Sequence, residues 1–192
     1  IDAIDRELLE LINHRAGLAQ RVEQIKDEAG QSDYYRPDRE AAVRSALVAL
    51  NEGPLANEEV SRLFQEIMSA CRALEQALRV GYLGPHGTFT EAAVHRHFGH
   101  SVEAQPVDTI DAVFREVESG ACGYGVAPVE NSTEGVINHT LDSFVQSSLA
   151  ICGEVELRIH HYLMSHCKSA KEINRLYSHQ QSLAQCRNWI DT

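Results

Sequence analysis

Along residues 1–79 the apolar positions recur at helical intervals. Ile4, Leu8, Leu11, Leu18, Val22 and Ile25 alternate spacings of four and three, provided position 15, an arginine, is counted into the same stripe. That stripe predicts a first helix. A second begins near Pro37, a residue suited to the first helical turn, and turns Val43, Leu47 and Leu50 inward before Gly53 and Pro54 end it. Asn57 is placed to cap a third, in which Val60, Phe64, Ile67, Cys71, Leu74 and Leu78 repeat in sevens.

From residue 80 the rhythm changes to short strands alternating with short helices. Strands are predicted over 80–83, 102–107, 124–129, 151–163 and 175–177, with helices after residues 88, 109, 135, 170 and 179. Such alternation predicts a parallel or mixed α/β sheet. The break near residue 80 divides the chain into modules 1–79 and 80–192, and without a flexible linker between them the two should touch. Thr88 followed by Glu91 forms a capping box. The segment GPHGTFTE is therefore a glycine-rich strand-to-helix turn whose backbone amides can face an anion.

Composition narrows the ligand. The 192 residues carry a net charge of -11 from 28 acidic and 17 basic side chains, which leaves no broad basic field for nucleic acid or anionic lipid. No apolar run approaches the ~20 residues of a membrane span, and the first residues lack the pattern of a signal peptide, so the chain reads as cytoplasmic. Five dispersed cysteines without a CxxC pair suggest neither a disulfide framework nor a zinc site, but reduced, mostly buried thiols. The start at Ile1 rather than Met, and the stop at Thr192 just after an apparent helix, lead to the expectation that one or both ends are missing.

Any anionic ligand therefore needs locally concentrated cations, and charges do interrupt the helical stripes. Arg15 lies in the seam of the first helix, and Lys26, about three turns on, returns to the same face. Glu40 precedes Val43 by three on the second helix, and Glu75 follows Cys71 by four on the third. Buried charges without partners cost several kcal/mol. Three readings follow: an internal ion-pair network, stripe edges that reach solvent, or a polar pocket for a small dianion.

The segments LLELINHRAGLAQRV, YYRPDRE and LFQEIMSACRALEQ, with Asp5 and Lys26, resemble the all-helical chorismate mutase domain over nearly all of residues 1–79. The resemblance implies three helices in an intertwined homodimer and a pericyclic rearrangement of chorismate to prephenate, without metal, cofactor or covalent intermediate. It implies that Arg15 and Lys26 bind carboxylates, with Lys26 also donating to the ether oxygen as negative charge gathers there. Arg36 would offer a backbone contact, Arg39 would support the site, and Glu40 would accept from the ring hydroxyl. Cys71 stands where many relatives carry a small hydroxyl residue and is expected only to fill space. Glu75 replaces a glutamine donor and can donate only when protonated, so mutase activity should rise as pH falls.

In the second module, ENSTEG puts Asn131, Ser132 and Thr133 between a strand and a helix, where they can face an anion or simply cap. Ser178, His179 and Gln185 can likewise belong to an ordinary capped helix. In combination, GYLGPHGTFTEAA, YGVAPVENSTEGVINHTLD, ICGEVELRIHHYL and YSHQQSLAQC resemble prephenate dehydratase, and with the first module they resemble the bacterial bifunctional chorismate mutase/prephenate dehydratase family. That resemblance implies two α/β lobes like a periplasmic binding protein, with prephenate between them, and a cofactor-free loss of water and CO₂. Asn131 and Gln185 match residues tied to dehydratase activity, while Thr88, Ser132, Thr133, Ser178 and His179 would line the cleft. His179 can also serve as a general acid or merely orient its neighbours. The family's Thr-Arg-Phe motif and phenylalanine-binding ACT domain have no counterpart in the sequence; were this the whole polypeptide, mutase activity with a severely impaired dehydratase would be expected, and a fragment of a longer protein is the simpler expectation. The rivals are a ligand-binding sensor with a helical dimerisation arm, and a purely structural helical dimer.

Overall fold

A computed structural model describes the chain apart from residues 29, 31–34, 76, 133–134, 179 and 192 and the side chains of Asp27 and Gln181. The first module consists of α1 (Asp2–Glu28), α2 (Pro37–Ala49) and α3 (Asn57–Ala73). Asp2 and Asp5 in the first turn of α1 and Lys26 in its last complement the helix dipole. Pro37 opens α2, where its missing N–H costs no hydrogen bond. The apolar stripe of α1 is largely uncovered: Ile4, Leu8, Leu11, Leu18, Val22 and Ile25 remain 47–65% exposed.

In the second module β1 (Arg79–Leu83) lies between β2 (Glu103–Val107) and β3 (Tyr124–Val126), all parallel. Helices α4 (Phe89–Phe98) and α5 (Ile110–Glu118) make the crossovers. The period of two along β1 sorts its faces. Val80 and Tyr82 are fully buried with Val94 and Phe98 of α4 and with Tyr35, which precedes α2. On the other face Gly81 of β1 and Gly125 of β3 lie side by side: a Cβ on Gly125 would come within 2.8 Å of Val113 Cγ1, so α5 packs directly on backbone there. A two-residue hairpin, β4 (Glu130–Asn131) with β5 (Gly135–Val136), leads into α6 (Asn138–Gln146), whose Phe144 packs edge-on against Phe114 of α5 at 5.0 Å. Beyond it come a 3₁₀ turn (Ala170–Glu172), α7 (Gln180–Gln185) and α8 (Arg187–Ile190).

Several elements differ from expectation. Helix α3 stops at Ala73 instead of running to Leu78, because the amides of Leu74 and Glu75 bond three residues back and tighten the last turn. Leu78 then packs beneath the sheet, and Glu75 lies in the turn beyond the helix. Asn57 is the first helical residue rather than the cap, which is Ala56, and its Oδ1 accepts from Asn51 Nδ2 at 2.8 Å. Leu50, expected inward, is 77% exposed. Residues 151–163 and 175–177 are neither helix nor strand. Alternation there encodes two faces but not a neighbour, and a strand takes its hydrogen bonds from a neighbour. Of the cysteines only Cys71 and Cys122 are buried; Cys152 and Cys167 are exposed and Cys186 is half-buried.

No described helix is long and apolar enough to cross a membrane.

Candidate active sites

The helical module brings together charges far apart in sequence. Glu75, half-buried beyond α3, lies within electrostatic range of Arg15 and Lys26 of α1, of Glu23 one turn before Lys26, and of Arg72. Burial pushes the Glu75 carboxyl above the ordinary carboxylate range and Glu23 adds to the shift, while Lys26, Arg72 and Arg15 act in the opposite direction. A carboxyl so placed holds its proton to higher pH than an exposed one. Cys71 is buried in the preceding turn of α3. Arg36 and Arg39 stand on the exposed side of the start of α2, where Arg36 donates to Asp38 at 3.1 Å.

Glu40 has a definite partner. Its carboxylate accepts from Arg72, one turn before Glu75, whose guanidinium is buried. The sequence reading missed Arg72 because it falls beside the sevenfold stripe of α3, where a cation is ordinarily solvated. Arg72 also donates to the Phe98 carbonyl at 2.6 Å and lies 4.6 Å from the centroid of the Tyr35 ring. Around it the modules are joined by further polar contacts. Gln65 donates to the Arg96 carbonyl at 2.6 Å, the His100 amide donates to Glu66 at 3.1 Å, and the Ser101 amide donates to Ser69 Oγ at 3.3 Å.

A second constellation lies past the C-terminal ends of β1 and β3, adjacent strands whose crossover helices cover opposite faces. In open α/β sheets ligands bind in such a crevice. Thr88 caps α4, its Oγ1 accepting from the Glu91 amide at 3.4 Å. Glu91 reaches back to the Gly87 amide at 2.6 Å, so that amide is taken by the chain's own carboxylate rather than presented to a ligand. Glu91 also meets His86 Nδ1 at 2.9 Å and accepts from the Tyr82 hydroxyl at 3.0 Å. These contacts, His86 foremost, then the Gly87 amide and Tyr82, hold the Glu91 carboxyl at about 2. Burial and the Glu91 carboxylate push Tyr82 up to about 12.

Gln185, at the end of α7, donates to Asn131 Oδ1 on β4 at 3.1 Å and meets His161 Nε2 through its own carbonyl at 2.6 Å. With Gln185 donating to Asn131, His161 must present Nε2–H to Gln185 Oε1. His161 packs edge-on against Phe89 of α4, ring centroids 6.1 Å apart. The sequence reading did not single out His161, since in residues 151–163 alternation marked it only as one face of a strand. Ser132 and Ser178 are exposed, while Thr133 and His179 lie outside the described residues.

A helical segment with a mixed-charge cluster thus precedes a parallel α/β module with polar side chains gathered at its strand ends. A family model of prephenate dehydratase matches residues 80–192, and one of chorismate mutase type II matches residues 1–76. The chain belongs to the prephenate dehydratase family and carries a chorismate mutase type II segment ahead of that match. It is 57% identical to the bifunctional chorismate mutase/prephenate dehydratases of Stutzerimonas stutzeri and Pseudomonas aeruginosa over 100% of its length, and 32% identical to that of Escherichia coli K12. It spans 54% of the length of each, about half.

Proposed function

We propose that residues 1–79 form a chorismate mutase domain and residues 80–192 the N-terminal part of a prephenate dehydratase domain, acting in succession toward phenylalanine. The observation that carries the first half is the electrostatic cluster of Arg15, Lys26 and Glu75. Chorismate is a dianion whose rearrangement breaks a C–O bond and forms a C–C bond, so it needs restraint and charge stabilisation rather than a nucleophile. Arg15 and Lys26 bind its carboxylates. Lys26 and protonated Glu75 donate to the ether oxygen as charge gathers there, and Glu40 accepts from the ring hydroxyl. Arg36 contributes a backbone contact, Arg39 supports the site and Cys71 fills space beneath it.

For the second half, Asn131 and Gln185 orient prephenate while its hydroxyl takes up a proton and leaves as water and its ring carboxylate leaves as CO₂. Thr88, Ser132, Thr133, Ser178 and His179 line the cleft, which in this reading lies between two lobes like those of a periplasmic binding protein. The chain works as a cytoplasmic homodimer whose mutase helices interlock. The uncovered stripe of α1 supports this, being the kind of apolar face that a second copy covers.

The test is loss of chorismate absorbance on adding the chain. Lys26→Met should lower kcat by about 10²–10³, the ordinary effect of removing an oxyanion donor. Unchanged chorismate with the wild-type chain rejects the mutase reading. Sedimentation should give a dimer that Leu8→Asp with Leu18→Asp converts to monomer, and a wild-type monomer at all concentrations rejects the interlocked helices.

A further inference from the structure

Arg72 is a buried cation, 5% exposed, and an arginine cannot shed its charge. Three elements compensate it. Nη1 donates to Glu40 Oε1 on α2, Nη2 donates to the Phe98 carbonyl at the C-terminus of α4, where the helix dipole is negative, and the guanidinium lies over the face of Tyr35. Tyr35 in turn packs on Phe98 and Tyr124, ring centroids 5.5 and 5.1 Å away, which fixes that face. The guanidinium is therefore clamped from both modules. Among the described residues Arg72 holds Glu40 by one oxygen, so by valence the other can accept from a ligand. Arg72 also lies within electrostatic range of Glu75, which links it to the cluster with Arg15 and Lys26.

We propose that Arg72 is a positioning residue for the mutase site: it orients Glu40 toward the substrate's ring hydroxyl and ties that orientation to the α4 terminus of the adjoining α/β module. The inference rests on the mutase reading and deepens it. Lysine cannot replace the arginine fully, because its ammonium lacks the planar fork that reaches Glu40 and the Phe98 carbonyl together. The ring hydroxyl gains no charge in the rearrangement, so the Glu40 contact is equally strong in ground and transition states. Its loss should appear in KM rather than kcat.

The experiment compares the wild-type full chain, Arg72→Lys, Glu40→Gln and the double variant on chorismate and on an analogue whose ring hydroxyl is replaced by hydrogen. On chorismate, Arg72→Lys should raise KM at least about tenfold, the effect of losing one hydrogen bond to a charged group, with kcat changed less than about threefold. On the analogue, wild type and Arg72→Lys should agree within about twofold. On the Glu40→Gln background the effect of Arg72→Lys should shrink to less than about twofold, the non-additivity of two residues acting through one contact.

Equal losses on both substrates, or additive losses in the double variant, overturn the inference and leave Arg72 as a structural ion pair only. An unchanged KM overturns it too. If circular dichroism shows that Arg72→Lys does not fold, Arg72→Gln carries the same comparison. Absence of chorismate loss in the wild type overturns the mutase reading and this inference with it, whereas turnover with equal losses overturns the inference alone.

Discussion

Replacing Glu75 with glutamine separates what its burial does from what its charge does. Glutamine keeps the size and supplies an N–H at every pH, whereas glutamate can donate only as the acid. Burial and Glu23 raise the Glu75 pKa against the pull of Lys26, Arg72 and Arg15, so the donating form persists above the ordinary carboxylate range. Above that raised pKa each pH unit removes about nine-tenths of the acid form, equivalent to about 1.4 kcal/mol of transition-state stabilisation. The decline ends where Lys26 alone supports the ether oxygen. One oxyanion donor is worth about 10²–10³ in rate, so that factor bounds the fall. Measured as kcat/KM for chorismate from pH 5 to 8, the wild type should decline toward high pH and Glu75→Gln should stay nearly flat, so that the curves diverge toward pH 8. Stability supplies an independent reading. A carboxyl whose pKa is raised by folding contributes stability below its unfolded pKa and loses it as pH rises through the folded value. Glu75→Gln should therefore raise Tm at pH 8 relative to wild type and change it little at pH 4. Identical flat activity profiles in both proteins would refute the reasoning.

Glu91 is the opposite case. Its depressed pKa contributes stability above the unfolded value of about 4.5 that is lost as pH falls toward about 2, so Glu91→Gln should flatten acid unfolding in that window, followed by circular dichroism. Gly99 has φ +81°, and a Cβ there would lie 2.5 Å from the Oγ of buried Ser69 at the contact between modules. Gly99→Ala should cost about 1–3 kcal/mol, at about 2–4 °C of Tm per kcal/mol, and an unchanged melting curve would contradict the packing. Gln185→Leu breaks the contacts to Asn131 and His161 together and should weaken prephenate binding about tenfold or more by calorimetry, leaving chorismate turnover unaffected.

Periodicity made the helical and α/β modules legible, and the parallel sheet followed from alternation because crossover helices bring parallel strands together. The Thr88 cap was equally legible, since a cap depends on residues three apart, although Glu91 reaches back to the Gly87 amide instead of that of Thr88. The same kind of signal failed at residues 151–163, where alternation specified faces without supplying a ladder partner. It failed differently at the end of α3, where entry into β1 claimed Leu78 for the sheet's core. Cysteine burial also departed from the compositional expectation, because burial depends on which segments cover a residue.

The sequence by itself determined which residue types interrupt the apolar stripes, and hence that Arg15, Lys26, Glu40 and Glu75 needed partners or a charged ligand. Only the tertiary structure decided the partners. It set Glu75 beside Glu23, gave Glu40 to Arg72, anchored Arg72 on the α4 carbonyl, and joined Gln185 to Asn131 across 54 residues. Spacing along a chain fixes a residue's direction within its own helix or strand, a property of a few neighbouring dihedrals. Desolvation and ion pairing depend instead on which distant segments close over that direction, and those are settled only when the modules pack together.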